Sequence, residues 1–131
     1  MYKVEEIVKT SKREEIIDVT ELIKKHIKLS NVKDGICVLF VPHTTCGITI
    51  NENADPSVKS DFLNHMKKLI PQQGNYLHSE GNSDAHIKSI LVGPSLTLLI
   101  WDSQLVLGTW QGIYFCEFDG PRTRKLLISI L

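Results

Sequence analysis

The last part of the chain, "SLTLLIWDSQLVLGTWQGIYFCEFDGPRTRKLLISIL" at residues 95–131, decides the fold class. Four runs rich in β-branched, aromatic and leucine residues follow one another: "SLTLLIW", "QLVL", "QGIYFCEFD" and "RKLLISIL". Each has the length of a strand, and turn formers at "WDS" and "DGPR" interrupt them. The links are short. Parallel pairing needs a long crossover, so short links favour antiparallel neighbours.

Working upstream, the reading becomes mixed. "YKVEEIVKT" alternates like a half-buried strand, and "EEIIDVT" reads as a second. Asp18 or Thr20 then caps a helix through "ELIKKHIKL", with Leu22, Ile23, His26 and Ile27 in one stripe. "KDG" at 33–35 marks a turn, "ICVLFVP" a buried strand ended by Pro42, and "CGITINEN" a strand leaving the "HTT" corner. Asp55-Pro56 is an N-cap acid followed by proline at the first helical position. The helix "SVKSDFLNHMKKLI" carries Val58, Phe62, Met66, Leu69 and Ile70 on one face and stops at Pro71. Ser83 is placed to cap a short helix, "DAHIKSILVG", that ends at Gly93. The expectation is one α+β domain over 1–131, a largely antiparallel, sandwich-like sheet with two main helices and one short one.

Size and charge narrow the function. A chain of 131 residues buries one real core but is too short for a (β/α)8 barrel. Fifteen Lys plus Arg balance fifteen Asp plus Glu, which argues against wrapping nucleic acid or clinging to an anionic membrane. Cys37, Cys46 and Cys116 form no CxxC, and two of them sit in apolar runs, so a reducing compartment, the cytoplasm, is expected. The opening residues read as neither a signal peptide nor a membrane span.

Chemistry concentrates in four clusters. The stretch "HSEGNSDAH", His78 to His86, packs two histidines and two acids into a polar loop. No helix face holds both histidines at that spacing, but a folded loop does. His43 follows a strand directly, with Thr44 and Thr45 beside it. Three imidazoles converging with one open position make a catalytic zinc site, and Glu80 and Asp84 could orient the rings. The competing reading is a solvated loop with unrelated histidines. "NENADP" at 51–56 offers Glu52 as a general base or magnesium ligand and Asn53 beside it, while Asp55 is first of all a cap. "GTWQG" at 108–112 offers Trp110 to stack on a flat ring and Gln111 to bond it, or else a bulge with a core tryptophan. In "DGPR", Arg122 could reach a phosphate. His26 and His65, inside helices, take no role. Cys46 beside His43 invites a thiol-nucleophile reading, but nothing nearby marks a lowered thiol pKa.

Four ordered blocks, "HTTCGITINENADP", "YLHSEGNSDAH", "LVGPSLTL" and "LGTWQGIYFCEFDGPR", resemble the YjbQ-like family, a group of small proteins also called secondary thiamine-phosphate synthases. The resemblance spans nearly the whole chain. It implies a compact α+β fold, a homotrimer and a divalent metal, zinc or magnesium, on His43, His78 and His86. It also implies catalytic roles for Glu52, Asp55 and Arg122, and substrate contacts from Thr44, Thr45, Asn53, Gly81, Asn82, Trp110 and Gln111. The implied reaction joins hydroxymethylpyrimidine diphosphate to thiazole phosphate and releases pyrophosphate. A metal-assisted hydrolase, or a non-catalytic trimeric binding protein, stands beside it. Many family members carry a longer segment before the second block than the one present here.

Overall fold

The computed structural model describes residues 1–131. Eight strands and three helices follow in the order β1 (Tyr2–Lys9), β2 (Glu15–Asp18), α1 (Thr20–Ser30), β3 (Gly35–Phe40), β4 (Cys46–Glu52), α2 (Pro56–Leu69), α3 (Ser83–Val92), β5 (Ser95–Trp101), β6 (Gln104–Leu105), β7 (Gln111–Glu117) and β8 (Thr123–Ile130). A five-stranded sheet runs β1-β8-β3-β5-β6 and a three-stranded sheet runs β2-β7-β4. Every pairing is antiparallel. This is the expected α+β sandwich.

Sequence and structure agree where the chemistry is local. Asp55 caps α2, its carboxylate accepting from Ser57 N at 2.9 Å. Between β5 and β6, Asp102 and Ser103 both take positive φ, the geometry of a two-residue hairpin turn. Two caps differ. Val19 is the cap residue of α1, while Asp18 Oδ1 accepts from Thr20 N instead. Asn82, not Ser83, precedes α3, and Ser83 Oγ donates to His78 O. His26 is a satisfied core group, donating from Nε2 to Glu6 and bonded at Nδ1 to the Tyr2 hydroxyl.

The expectation that short links join sheet neighbours is corrected at four links. β1–β2, β3–β4, β6–β7 and β7–β8 each cross from one sheet to the other. Three of these crossings, β1–β2, β3–β4 and β7–β8, meet at one end of the sandwich. Thr10 N donates to Arg122 O, Phe118 N to Thr45 O and Gly120 N to Arg13 O. Glu117, fully buried, sits among them and accepts from Thr10 Oγ1 at 2.7 Å and from Arg124 Nε and Nη2 at 2.9 and 2.5 Å. A corner strips backbone groups of ladder partners, and Glu117 takes up one of them by accepting from Asp119 N.

The main core, including Ile23, Ile27, Leu39, Ile48, Phe115 and Ile128, fills the space between the sheets and beneath α1. A second cluster, Ala85, Tyr114, Cys116 and Phe118, lies on the other face of the three-stranded sheet, towards α2 and α3. Gly47 lets α3 close onto β4: a Cβ there would stand 2.7 Å from Val92 Cγ1. The packing of α3 inverts its sequence. Asp84, Ala85 and Lys88 are buried, whereas Ile90 and Leu91 are 78% and 62% exposed. No helix is long and apolar enough to cross a membrane.

Candidate functional site

Loop residues 75–82 and the first turns of α3 enclose an open groove of about 490 Å³ lined by Tyr76, Leu77, His78, Ser83, His86 and Ile87. Gly81, at φ 80°, makes the reversal that lays His78 back over the helix. The rings of His78 and His86 then meet edge to face, centroids 5.1 Å apart. His78 Nε2 donates to Asn82 Oδ1 at 3.1 Å, and Asn82 Nδ2 donates to Asp119 Oδ2 at 2.9 Å. Asp119 also accepts from Arg122, at its carboxylate from Nη2 and at its carbonyl from Nε. His78, Gly81, Asn82, His86 and Arg122 therefore form one connected constellation. Asp119, absent from the sequence-based set, is its hinge. Its only signal in the sequence is its place in "DGPR", three residues before Arg122.

The other candidates lie elsewhere. His43 stands in the β3–β4 corner, where its Nε2 accepts from Lys125 N at 2.9 Å. Burial, and then the nearby Arg124 charge, hold its pKa below the ordinary histidine value, consistent with a neutral accepting ring. Thr45 is buried and accepts from Arg124 Nη2, and Thr44 is exposed beside it. Glu52, Asn53, Asp55, Trp110 and Gln111 gather at the opposite end of the three-stranded sheet. β4 runs from Cys46, opposite Glu117, to Glu52, opposite Gln111. Six steps of about 3.3 Å separate those ends by roughly 20 Å. Within one chain the candidates thus form two groups at two ends, not one pocket.

At the far end, Asn53 N donates to Trp110 O, and the Asn53 side chain lies against Gly112. Gln111 Oε1 accepts from Gly108 N, so its amide closes its own turn. Trp110 is 62% exposed, so the core-tryptophan alternative is corrected.

Asp84 does not orient the imidazoles. It turns inward, bonding Arg13 at 3.0 and 3.1 Å and Lys88 at 2.9 Å. Glu80 does stand by the site, 3.7 Å from His78 Nε2. Cys46 is no nucleophile: burial and then the Glu117 charge push its thiol far up, and its Sγ donates to that carboxylate. Burial alone raises the Cys37 thiol to about 11.

The donors do not fit the three-histidine metal centre. Two rings meet, but the third accepts from the Lys125 backbone N–H in the β3–β4 crossing. No group of three or more His, Cys, Asp and Glu side chains is placed to hold a metal ion. A metal-dependent enzyme is therefore not supported by this geometry.

Comparison with known proteins points the same way on activity. The family model described as "UPF0047 protein YjbQ-like" matches residues 5–131. A UPF0047 protein of Methanocaldococcus jannaschii is 60% identical, over 95% of this chain and 90% of that protein. The UPF0047 protein YugU of Bacillus subtilis is 47% identical over 95% of each. A crystal structure from Clostridium acetobutylicum, described as an uncharacterized conserved protein of the YjbQ/UPF0047 family, superposes with a TM-score of 0.96 at 54% identity, covering 98% of this chain and 99% of that one. A Sulfolobus solfataricus structure, called a protein of unknown function, matches with a TM-score of 0.94 at 30% identity, covering 98% and 95%. None of these relatives is named for a thiamine-phosphate synthase, another transferase, a hydrolase or zinc binding. The expected thiamine-phosphate synthase activity, and the metal-assisted hydrolase beside it, are corrected on these two grounds. Fold, length and sequence agree on the family itself, and the chain belongs to the YjbQ-like UPF0047 family.

Proposed function

We propose that the protein is a homotrimer that holds a small phosphorylated molecule in the groove between loop residues 75–82 and α3. The observation that carries this reading is the His78–His86 pair, joined through Asn82 and Asp119 to Arg122. Two imidazoles and a guanidinium on one hydrogen-bonded frame supply several N–H donors for phosphate oxygens. The Arg122 side chain is 55% exposed and keeps donors free for such a contact.

The trimer rests on the family resemblance and on the inverted α3. Ile90 and Leu91 on α3 and the fully exposed Leu77 of the groove are large apolar side chains left uncovered, of the kind that a second copy of the chain covers. The cytoplasm suits three buried free thiols.

Titration with pyrophosphate and with ribose 5-phosphate, followed through the imidazole resonances, tests the site. Saturable shifts of His78 and His86 are expected, weakened about tenfold or more by Arg122→Ala, one lost charge-assisted contact. Shifts absent from both rings sink the reading. Sedimentation tests the assembly: the parent should run as three chains of 14.8 kDa, and Ile90→Asp with Leu91→Lys as one. A parent that sediments as a single chain excludes the trimer.

A further inference from the structure

Helix α2 does not seal the outer face of the three-stranded sheet. It leaves a cavity of about 190 Å³, walled by Ile16, Val58, Phe62 and Tyr114, with Glu52 and Lys59 also in its lining. An engineered apolar cavity of about 150 Å³ takes a benzene molecule, so this space suits an isobutyl or benzyl group. Glu52 and Lys59 are both half-buried. Lys59 Nζ lies 5.4 Å from the Tyr114 ring centre, and it is not in an ion pair with any acid of the chain. The Tyr114 hydroxyl donates to the Glu52 carbonyl. Burial, then the Asp18 and Glu52 charges, raise the Tyr114 pKa. The lining of this largely apolar chamber thus carries one cation and one anion that form no ion pair with each other.

We propose that this cavity binds a small α-amino acid with an apolar side chain. The side chain enters among Ile16, Val58, Phe62 and Tyr114, the carboxylate meets Lys59 and the ammonium meets Glu52. A simple carboxylic acid leaves Glu52 unmatched, and a simple amine leaves Lys59 unmatched. The zwitterion answers both. The site shares no lining residue with the α3 groove, so either can fail without the other.

Calorimetric titration of the whole protein with L-leucine and L-phenylalanine, against isovalerate and isopentylamine, tests the proposal. At least one amino acid should bind saturably below about 10 mM, roughly tenfold or more tighter than either single-charge analogue. Lys59→Met should weaken the amino acid about tenfold while sparing isopentylamine, and Glu52→Gln should do so while sparing isovalerate. Unchanged thermal midpoints show that the variants fold, and Lys59→Gln replaces Lys59→Met where one does not. No saturable binding of either amino acid overturns the proposal. Analogues that bind as tightly as leucine, or charge variants that bind it unchanged, overturn it equally.

Discussion

Replacing Arg124 by methionine is expected to destabilise the protein by about 3–5 kcal/mol, because it strands a buried carboxylate. Glu117 has no exposed surface, and Arg124 supplies two of its hydrogen bonds. Thr10, Cys46 and the backbone of Asp119 supply the others, but none of them carries a positive charge. In a domain of this size the loss corresponds to a fall in thermal midpoint of roughly 10–20 °C. Thermal and urea unfolding of parent and variant measure it.

The pH dependence separates a stranded charge from lost packing. Burial alone would raise the Glu117 pKa, but bonds from Arg124, Thr10 and Asp119 N hold it below the usual carboxylate range. A carboxylate lowered in the fold contributes stability that is complete above its unfolded pKa, near 4. That contribution is lost as pH falls through the lower folded value. Without Arg124, burial dominates and Glu117 takes up a proton more readily in the fold than in the unfolded chain. The variant's deficit should therefore narrow as pH falls towards 4. A deficit constant with pH would show that packing, and not the stranded charge, was lost.

Asp84→Ala is expected to cost about 3 kcal/mol or more by the mirror-image mechanism. Lys88 is 1% exposed and bonds Asp84 at 2.9 Å, leaving only Glu14 at 3.4 Å when Asp84 is removed. Arg13 loses its bidentate partner in the same step. In the parent, Asp84 follows the same rule as Glu117: burial opposes its ionisation, but Arg13 and Lys88 hold its pKa below the ordinary value, so its contribution falls away in acid. The deficit of Asp84→Ala should therefore also narrow as pH falls below about 4, and unfolding midpoints measured from neutral pH into acid check it.

These two ion clusters are barely legible in the sequence. Glu117 and Arg124 lie in runs that read simply as strands, and Asp84 and Lys88 sit four apart on a short helix, a spacing usually found on a solvated face. Burial turns an ordinary surface pair into a structural centre, and burial is a property of the assembled layers. The inversion of α3 belongs to the same class. Its apolar Ile87, Ile90 and Leu91 are left exposed, and the sheet takes the side of Asp84, Ala85 and Lys88.

By itself the sequence determined the strands and helices, the Asp55 cap, the β5–β6 turn and the nearness of His78 to Gly81, Asn82 and His86. Each depends on residues only a few positions apart, where periodicity, capping and turn geometry act directly. The tertiary structure alone decided which sheet each strand joins, that four short links cross between sheets, and that the candidate residues split into two groups. A strand's period of two says which residues share a face but not which sheet receives it. Thus His43 makes no three-ligand group with the other two histidines, its ring nitrogen engaged by Lys125, while Arg122 is joined to His78 through Asp119 and Asn82.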